Sequence, residues 1–117
     1  MRQIISYGSV KTIYIDKEKV LKELKKVAEE AQKNFPEIKE IILFGSFAKG
    51  EQTGLSDLDI FIVAENQPSN PFERIKPYFN FFADKLKIAI DIIIVTPEEK
   101  ESFKEMLKDS LILITRT

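Results

Sequence analysis

The sequence contains no cysteine, no histidine and no tryptophan in its 117 residues. Without cysteine and histidine the chain lacks the nucleophile and base pairs of serine and cysteine hydrolases, the usual ligands of a zinc site and any disulfide. Catalysis would therefore have to use carboxylates, hydroxyls, lysines and backbone amides. If a metal takes part, ligation by oxygen alone favours a hard cation, Mg²⁺ or Mn²⁺.

Charge and hydropathy exclude two kinds of partner. Lys and Arg number 18 against 19 Asp and Glu, a net charge of -1, so no basic field is present to hold a long nucleic acid. No window approaches the roughly 18 consecutive apolar residues of a membrane span, and the N-terminus does not resemble a signal peptide. We expect a cytoplasmic protein that binds neither long nucleic acid nor membrane.

The length predicts one domain over residues 1–117. Apolar spacing predicts strands near residues 10–15, 40–44, 57–64, 88–95 and 111–115. It also predicts three helices, one running from a cap at Asp16 to about Asn34, one over 71–86, and one from a cap at 96–99 to about Lys108. Pro77 should kink or split the second helix. The fold class is α/β (α+β), with a mixed β-sheet flanked by helices.

A glycine and a serine follow the strand that ends at Phe44. Gly45 allows another group to approach the backbone closely, and Ser46 can cap a short helix whose free amides attract an anion. A Gly-Ser turn alone is more often structural. Gly8-Ser9 illustrates this, because neither a helix signal nor an acidic pair follows it.

Two aspartates begin the next strand. Since side chains alternate along a strand, Asp57 and Asp59 share one face, and the roughly 6.5 Å between them lets both reach the same one or two cations. A third acid, Asp91, lies inside an apolar strand, where a buried carboxylate costs several kcal/mol unless it is compensated. The alternatives are a solvated strand start for the pair, and an edge strand or a lysine partner for Asp91.

Together these residues predict a site for a metal-bound triphosphate, with two hard cations and nucleotidyl transfer as the reaction. The pattern of Gly45-Ser46, ten intervening residues, Asp57-x-Asp59 and the later Asp91 resembles the signature of the DNA polymerase beta nucleotidyltransferase superfamily. It is most similar to the smallest branch, the minimal nucleotidyltransferases. The resemblance implies a nucleotidyltransferase fold, phosphate contacts from the Gly-Ser pair, and two ions bound by the three aspartates. The third aspartate would also activate the acceptor hydroxyl.

The resemblance further implies a substrate and a partner. Minimal nucleotidyltransferases pair with helical HEPN-type proteins, often as antitoxins that bind the partner or attach AMP from ATP to it. Phe47 stands where the family often carries a basic residue, so Lys49 is a candidate phosphate contact, with a solvated helix charge as the alternative. The competing interpretation of the chain is a catalytically silent module that acts only by contact, and a homo-oligomer is the alternative assembly.

Two smaller patterns complete the sequence. Ser46-x-x-Lys49 matches the nucleophile motif of penicillin-binding enzymes, but the other motifs of those enzymes are missing.

On the helix at 71–86, a stripe of apolar residues should face the core. It consists of Phe72, Ile75, Phe79, Phe82 and Leu86. Phe81 projects away from that stripe and predicts a protein interface, unless a kink at Pro77 buries it.

Overall fold

The computed structural model describes residues 2–7, 10–15, 17–45, 48, 58–86 and 88–115. Strands β1 (Arg2–Tyr7) and β2 (Val10–Ile15) form an antiparallel hairpin. The other elements are α1 (Lys17–Asn34), β3 (Ile38–Phe44), β4 (Leu58–Ala64), α2 (Pro71–Leu86), β5 (Ile90–Val95), a short 3-10 helix (Lys100–Phe103) and β6 (Leu111–Thr115). The predicted mixed sheet and flanking helices are confirmed.

The second sheet has the strand order β5-β4-β3-β6. β3 pairs antiparallel with β4 and with β6, whereas β4 pairs parallel with β5, and α2 provides the crossover between those two strands. β5 is therefore an edge strand.

The two faces of this sheet differ in what covers them. On one face, α1 and α2 bury the even-numbered side chains of β4, among them Leu58, Ile60 and Ile62. On the other face, Phe61 and Val63 pack with Ile42 and Val95 under Phe103 and Leu107. The odd-numbered residues of β4, including Asp59, thus project from the face opposite α1 and α2.

The helix α2 begins at the predicted cap, where the Asn70 Oδ1 accepts a hydrogen bond of 2.9 Å from the Phe72 N–H. The helix is continuous through Pro77, so the predicted split is wrong. The predicted core stripe is also wrong in part, because Phe72 is 77% exposed and Phe79 41% exposed. The residues that α2 buries are Arg74, Tyr78, Phe82 and Leu86.

Two buried polar side chains explain the orientation of α2, which is rotated by roughly 60° from the predicted one. Arg74 donates to the backbone carbonyls of Pro68 and Ile94, at 2.5 Å and 3.1 Å. Tyr78 donates a 2.5 Å hydrogen bond to Glu37, and burial followed by this hydrogen bond raises the pKa of Tyr78 to about 12. The buried face of α2 is therefore set by the hydrogen bonds of Arg74 and Tyr78. The prediction considered only apolar residues and did not include these bonds.

The same rotation places Phe81 at the margin of the core. Its ring is half-buried and packs edge-on against Phe35 and Phe82, with centroid distances of 5.6 Å and 5.7 Å. The Lys85 ammonium lies 5.3 Å from the ring centroid. Phe81 therefore packs partly against the core without any break of the helix at Pro77. An interface that includes the exposed part of this ring stays a prediction.

The helix predicted after the cap at 96–99 is wrong as well. Residues 100–103 form a single 3-10 turn, and turns follow to residue 109. Phe103 and Leu107 are its half-buried anchors, while most of the intervening lysines and glutamates are exposed. The stability of an α-helix in a protein comes mainly from packing an apolar face against the core. Contacts from Phe103 and Leu107 alone are too few to stabilise an α-helix in this segment.

The cap residue Glu99 has a second role in the fold. Its carboxylate forms a two-pronged ion pair with Arg74, with distances of 2.6 Å and 3.2 Å, and also accepts from the Thr96 N–H at 2.9 Å. The Arg74 hydrogen bond, followed by the one from Thr96, lowers the pKa of Glu99 from 4.5 to about 2. This contact fixes the end of β5, because Arg74 also holds the Ile94 carbonyl.

We expect the stability that Glu99 contributes to depend on pH. A carboxyl group whose pKa is lower in the folded state stabilises fully above its unfolded pKa of 4.5, and this contribution disappears as the pH falls toward about 2. Thermal unfolding of the wild type and Glu99→Gln should therefore differ at neutral pH and converge near pH 2. The exposed neighbour Glu98→Gln is the control, and a constant difference between wild type and Glu99→Gln would contradict the assignment.

Candidate functional site

Strand register brings two of the three predicted aspartates together. Asp59 of β4 is the direct partner of Asp91 of β5, and on its other side Asp59 is the partner of Phe44 of β3. Residues in register on neighbouring strands project from the same face, and such strands lie about 4.8 Å apart. Both carboxylates therefore lie side by side on the face opposite α1 and α2.

The surroundings of these two carboxylates differ. Asp59 is half-buried between its two neighbouring strands, whereas Asp91 is exposed. The expectation that Asp91 is buried is wrong, because β5 is the edge of the sheet and no strand in the described part of the chain pairs with its outer side. Within the described residues Asp91 has no lysine or arginine partner. Like charges side by side on adjacent strands repel, and a bound cation would relieve that repulsion.

Gly45 forms the wall beside Asp59. Its φ of +78° lies in the left-handed region that favours glycine. A Cβ built on Gly45 would lie 2.9 Å from the Asp59 Cγ and closer still to the Oδ2 atom. The close approach that the sequence predicts at Gly45 is therefore made by the Asp59 carboxylate, and the glycine gives that carboxylate its space.

Three predicted site residues, Ser46, Lys49 and Asp57, lie outside the described residues. Among the residues that are described, no group of three or more acidic side chains could hold a metal ion. Asp59 and Asp91 supply a pair, and their oxygens are the donor type that Mg²⁺ and Mn²⁺ prefer. In the same part of the chain, no helix has the length and apolar character needed to cross a membrane.

Sequence reasoning missed Arg74, which positions the strand that carries Asp91. The guanidinium links α2 to the Ile94 carbonyl and to Glu99. The cap pattern around Thr96 and Glu99 was recognisable, but it gave no indication that the glutamate would pair with a residue on the preceding helix.

Comparisons with known proteins agree with this geometry. Residues 24–114 match the model of the nucleotidyltransferase domain family. A Methanocaldococcus jannaschii protein named "Putative protein adenylyltransferase MJ0126" is 31% identical over 99 residues, which cover 82% of this chain and 99% of that protein.

Two solved structures are similar in fold. One is described as a putative nucleotidyltransferase from Sulfolobus solfataricus, with a TM-score of 0.67 and 29% identity over 86% of this chain and 84% of that one. The other is the tri-AMPylated Shewanella oneidensis HEPN toxin in complex with MNT antitoxin, with a TM-score of 0.55 and 18% identity over 86% of this chain and 74% of the matched one. With the family match covering more than half of its length, the chain belongs to the nucleotidyltransferase domain family and is a nucleotidyltransferase.

Proposed function

We propose that this chain transfers AMP from ATP to a hydroxyl group of a protein partner, with divalent metal ions, and that the partner is a helical HEPN-type toxin. The observation that carries the proposal is the pairing of Asp59 with Asp91 beside the Gly45 wall. The protein-adenylyltransferase name of the archaeal relative supports the acceptor class. The similar toxin–antitoxin complex, whose HEPN toxin is AMPylated, supports the partner and an antitoxin role.

In this proposal each predicted residue has a role. Asp57, Asp59 and Asp91 would hold two Mg²⁺ or Mn²⁺ ions, which would supply positive charge to the phosphates during transfer. Gly45, Ser46 and Lys49 form the phosphate side of the site. Gly45 also keeps the Asp59 carboxylate in place, since its missing side chain leaves room for that group.

We assign the role of the base to Asp91. The acceptor oxygen forms a bond to the α-phosphorus of ATP, the bond from that phosphorus to the bridging oxygen of the β-phosphate breaks, and pyrophosphate leaves. The acceptor proton passes to the Asp91 carboxylate. Because Asp91 is exposed on an edge strand, a hydroxyl on a separate protein can reach it.

The test uses calorimetric titration with Mg²⁺ and ATP, followed by transfer of label from α-labelled ATP to a HEPN-type protein encoded beside this gene. We expect the wild type to bind ATP only with the metal and to label the partner. Asp59→Asn should lower the transfer rate at least about 100-fold, as expected when a group that stabilises developing charge is lost. Glu98→Gln, an exposed acid on a turn, is the control.

Two outcomes would contradict the proposal. If the wild type binds the partner protein but neither nucleotide nor metal, the chain is the contact-only module. If Asp59→Asn transfers AMP at the wild-type rate, the site lies elsewhere.

A further inference from the structure

The outer side of β5 presents backbone N–H and C=O groups that no strand in the described part of the chain pairs with. The Leu58 N–H donates to the Ala89 carbonyl at 3.0 Å, which fixes which groups of β5 are directed toward β4. Because backbone direction alternates along a strand, the N–H and C=O groups of Ile90, Ile92 and Ile94 are directed away from the sheet. Arg74 takes the Ile94 carbonyl. Ile90 and Ile92 have no partner for their outward groups among the residues described.

A groove runs beside this edge. Its volume is about 400 Å³, and it is lined by Ile75 of α2, residues 92–95 of β5 and Phe103 of the 3-10 helix. Arg74, the one cationic side chain in its described lining, is already paired with Glu99. The groove therefore does not favour an anionic ligand. An apolar groove beside the outward N–H and C=O groups of Ile90 and Ile92 fits an extended peptide, which can satisfy those groups with its own backbone.

We propose that the acceptor segment of the protein substrate binds as an added strand on β5, and that this pairing presents its hydroxyl to Asp91. A residue paired opposite Asp91 would project from the same face as Asp91 and Asp59, because residues in register share a face. The substrate class is thus a serine, threonine or tyrosine in an extended segment. This inference rests on the proposed function, in which Asp91 is the base. The added strand would bring the acceptor hydroxyl to that base.

The structure also limits the length of the added strand. Beyond Ile92, the Arg74 guanidinium covers the Ile94 carbonyl, so pairing ends there. The open stretch covers Ile90 to Ile93, with Asp91 near its start. The acceptor hydroxyl should accordingly lie toward one end of the paired segment.

The experiment starts from the protein substrate that the wild type labels with α-labelled ATP. The modified hydroxyl is located by mass spectrometry, and a nine-residue peptide around it serves as the probe, with variants that carry one N-methyl group at successive amides. We expect labelling to fall at least about tenfold for methyl groups at alternate amides and to stay unchanged at the amides between them. Loss of labelling at either set of alternate amides supports the added strand. Which set is sensitive also shows whether the peptide runs parallel or antiparallel to β5.

Amide hydrogen exchange of the unmutated protein gives a second measurement that does not depend on any variant folding. The Ile90 and Ile92 amides should gain protection when the peptide binds, while the Ile93 amide, already directed toward β4, should change little.

Failure of this inference can be distinguished from failure of the proposed function. If the intact substrate is labelled but the peptide is not, or if N-methylation has no alternating effect, the added strand is wrong and the transfer activity stands. If Ile90 and Ile92 become protected with rising protein concentration and no peptide, a second copy of the chain occupies the edge. If the wild type transfers no AMP to any protein, the proposed function fails and this inference fails with it.

Discussion

Replacing Gly45 with alanine should lower AMP transfer at least about 100-fold, although the added group is a single methyl. The Cβ would lie 2.9 Å from the Asp59 Cγ, well inside van der Waals contact, so the carboxylate has to leave its position beside Asp91. The φ of +78° adds a backbone penalty of about 1 to 2 kcal/mol for any residue with a side chain. The transfer rate and the affinity for Mg²⁺-ATP are the measurements.

A double-mutant cycle separates this effect from general damage. If Gly45→Ala acts by displacing the Asp59 carboxylate, then Gly45→Ala combined with Asp59→Asn should be no slower than Asp59→Asn alone. Circular dichroism and the unfolding temperature of each variant show whether the fold is kept. Multiplied losses in the double variant would mean that Gly45 acts independently of Asp59.

Arg74→Met should lower the free energy of unfolding by about 2 to 4 kcal/mol, the largest stability effect that we expect from an exchange of one polar side chain here. Methionine keeps most of the length and apolar volume of the side chain but leaves the carbonyls of Pro68 and Ile94 without their donor. Arg74 is 6% exposed, so water does not readily replace the guanidinium at these carbonyls. Denaturant unfolding measures the change.

Lys76→Met provides the matched control on the same helix. Its ammonium forms an exposed ion pair with Glu73 at 3.0 Å, a kind of contact that contributes about 0 to 1 kcal/mol. Equal losses for the two variants would show that the buried hydrogen bonds of Arg74 do not hold α2 against β5.

Local sequence patterns predicted the elements whose stability depends on their own residues. The apolar stripe and cap predicted α1, the Asn70 cap predicted the start of α2, and apolar runs predicted β3 to β6. The first strand, β1, was not predicted, although the two-residue Gly8-Ser9 connection is typical of a hairpin. That pair lies outside the described residues.

Tertiary contacts account for the errors. The burial of Arg74 and Tyr78 depends on Glu99 and Glu37, which are distant in sequence, so helical periodicity could not place them on the core side of α2. Glu99 has the spacing of a helix cap, yet the segment after it lacks the packing that a helix needs.

In the candidate site, too, local sequence predicted some features, whereas others depend on contacts between distant parts of the chain. The alternation of β4 predicted the face of Asp59, and the prediction that Asp59 and Asp91 lie close together is supported by their pairing in register. The exposure of Asp91 depends on strand order, which places β5 at the edge, and no pattern within residues 88–95 contains that order.

The crossover that joins β4 to β5 has a consequence for how Asp59 and Asp91 are held together. Asp59 and Asp91 lie at the beginnings of two parallel strands, and the whole of α2 lies between these strands in the sequence. Contacts between such distant parts of a chain form late and depend on cooperative folding. A protease that cuts between Asn66 and Leu86 would remove the covalent link between the two strands, so Asp59 and Asp91 would then be held together only by the pairing and packing of β4 against β5.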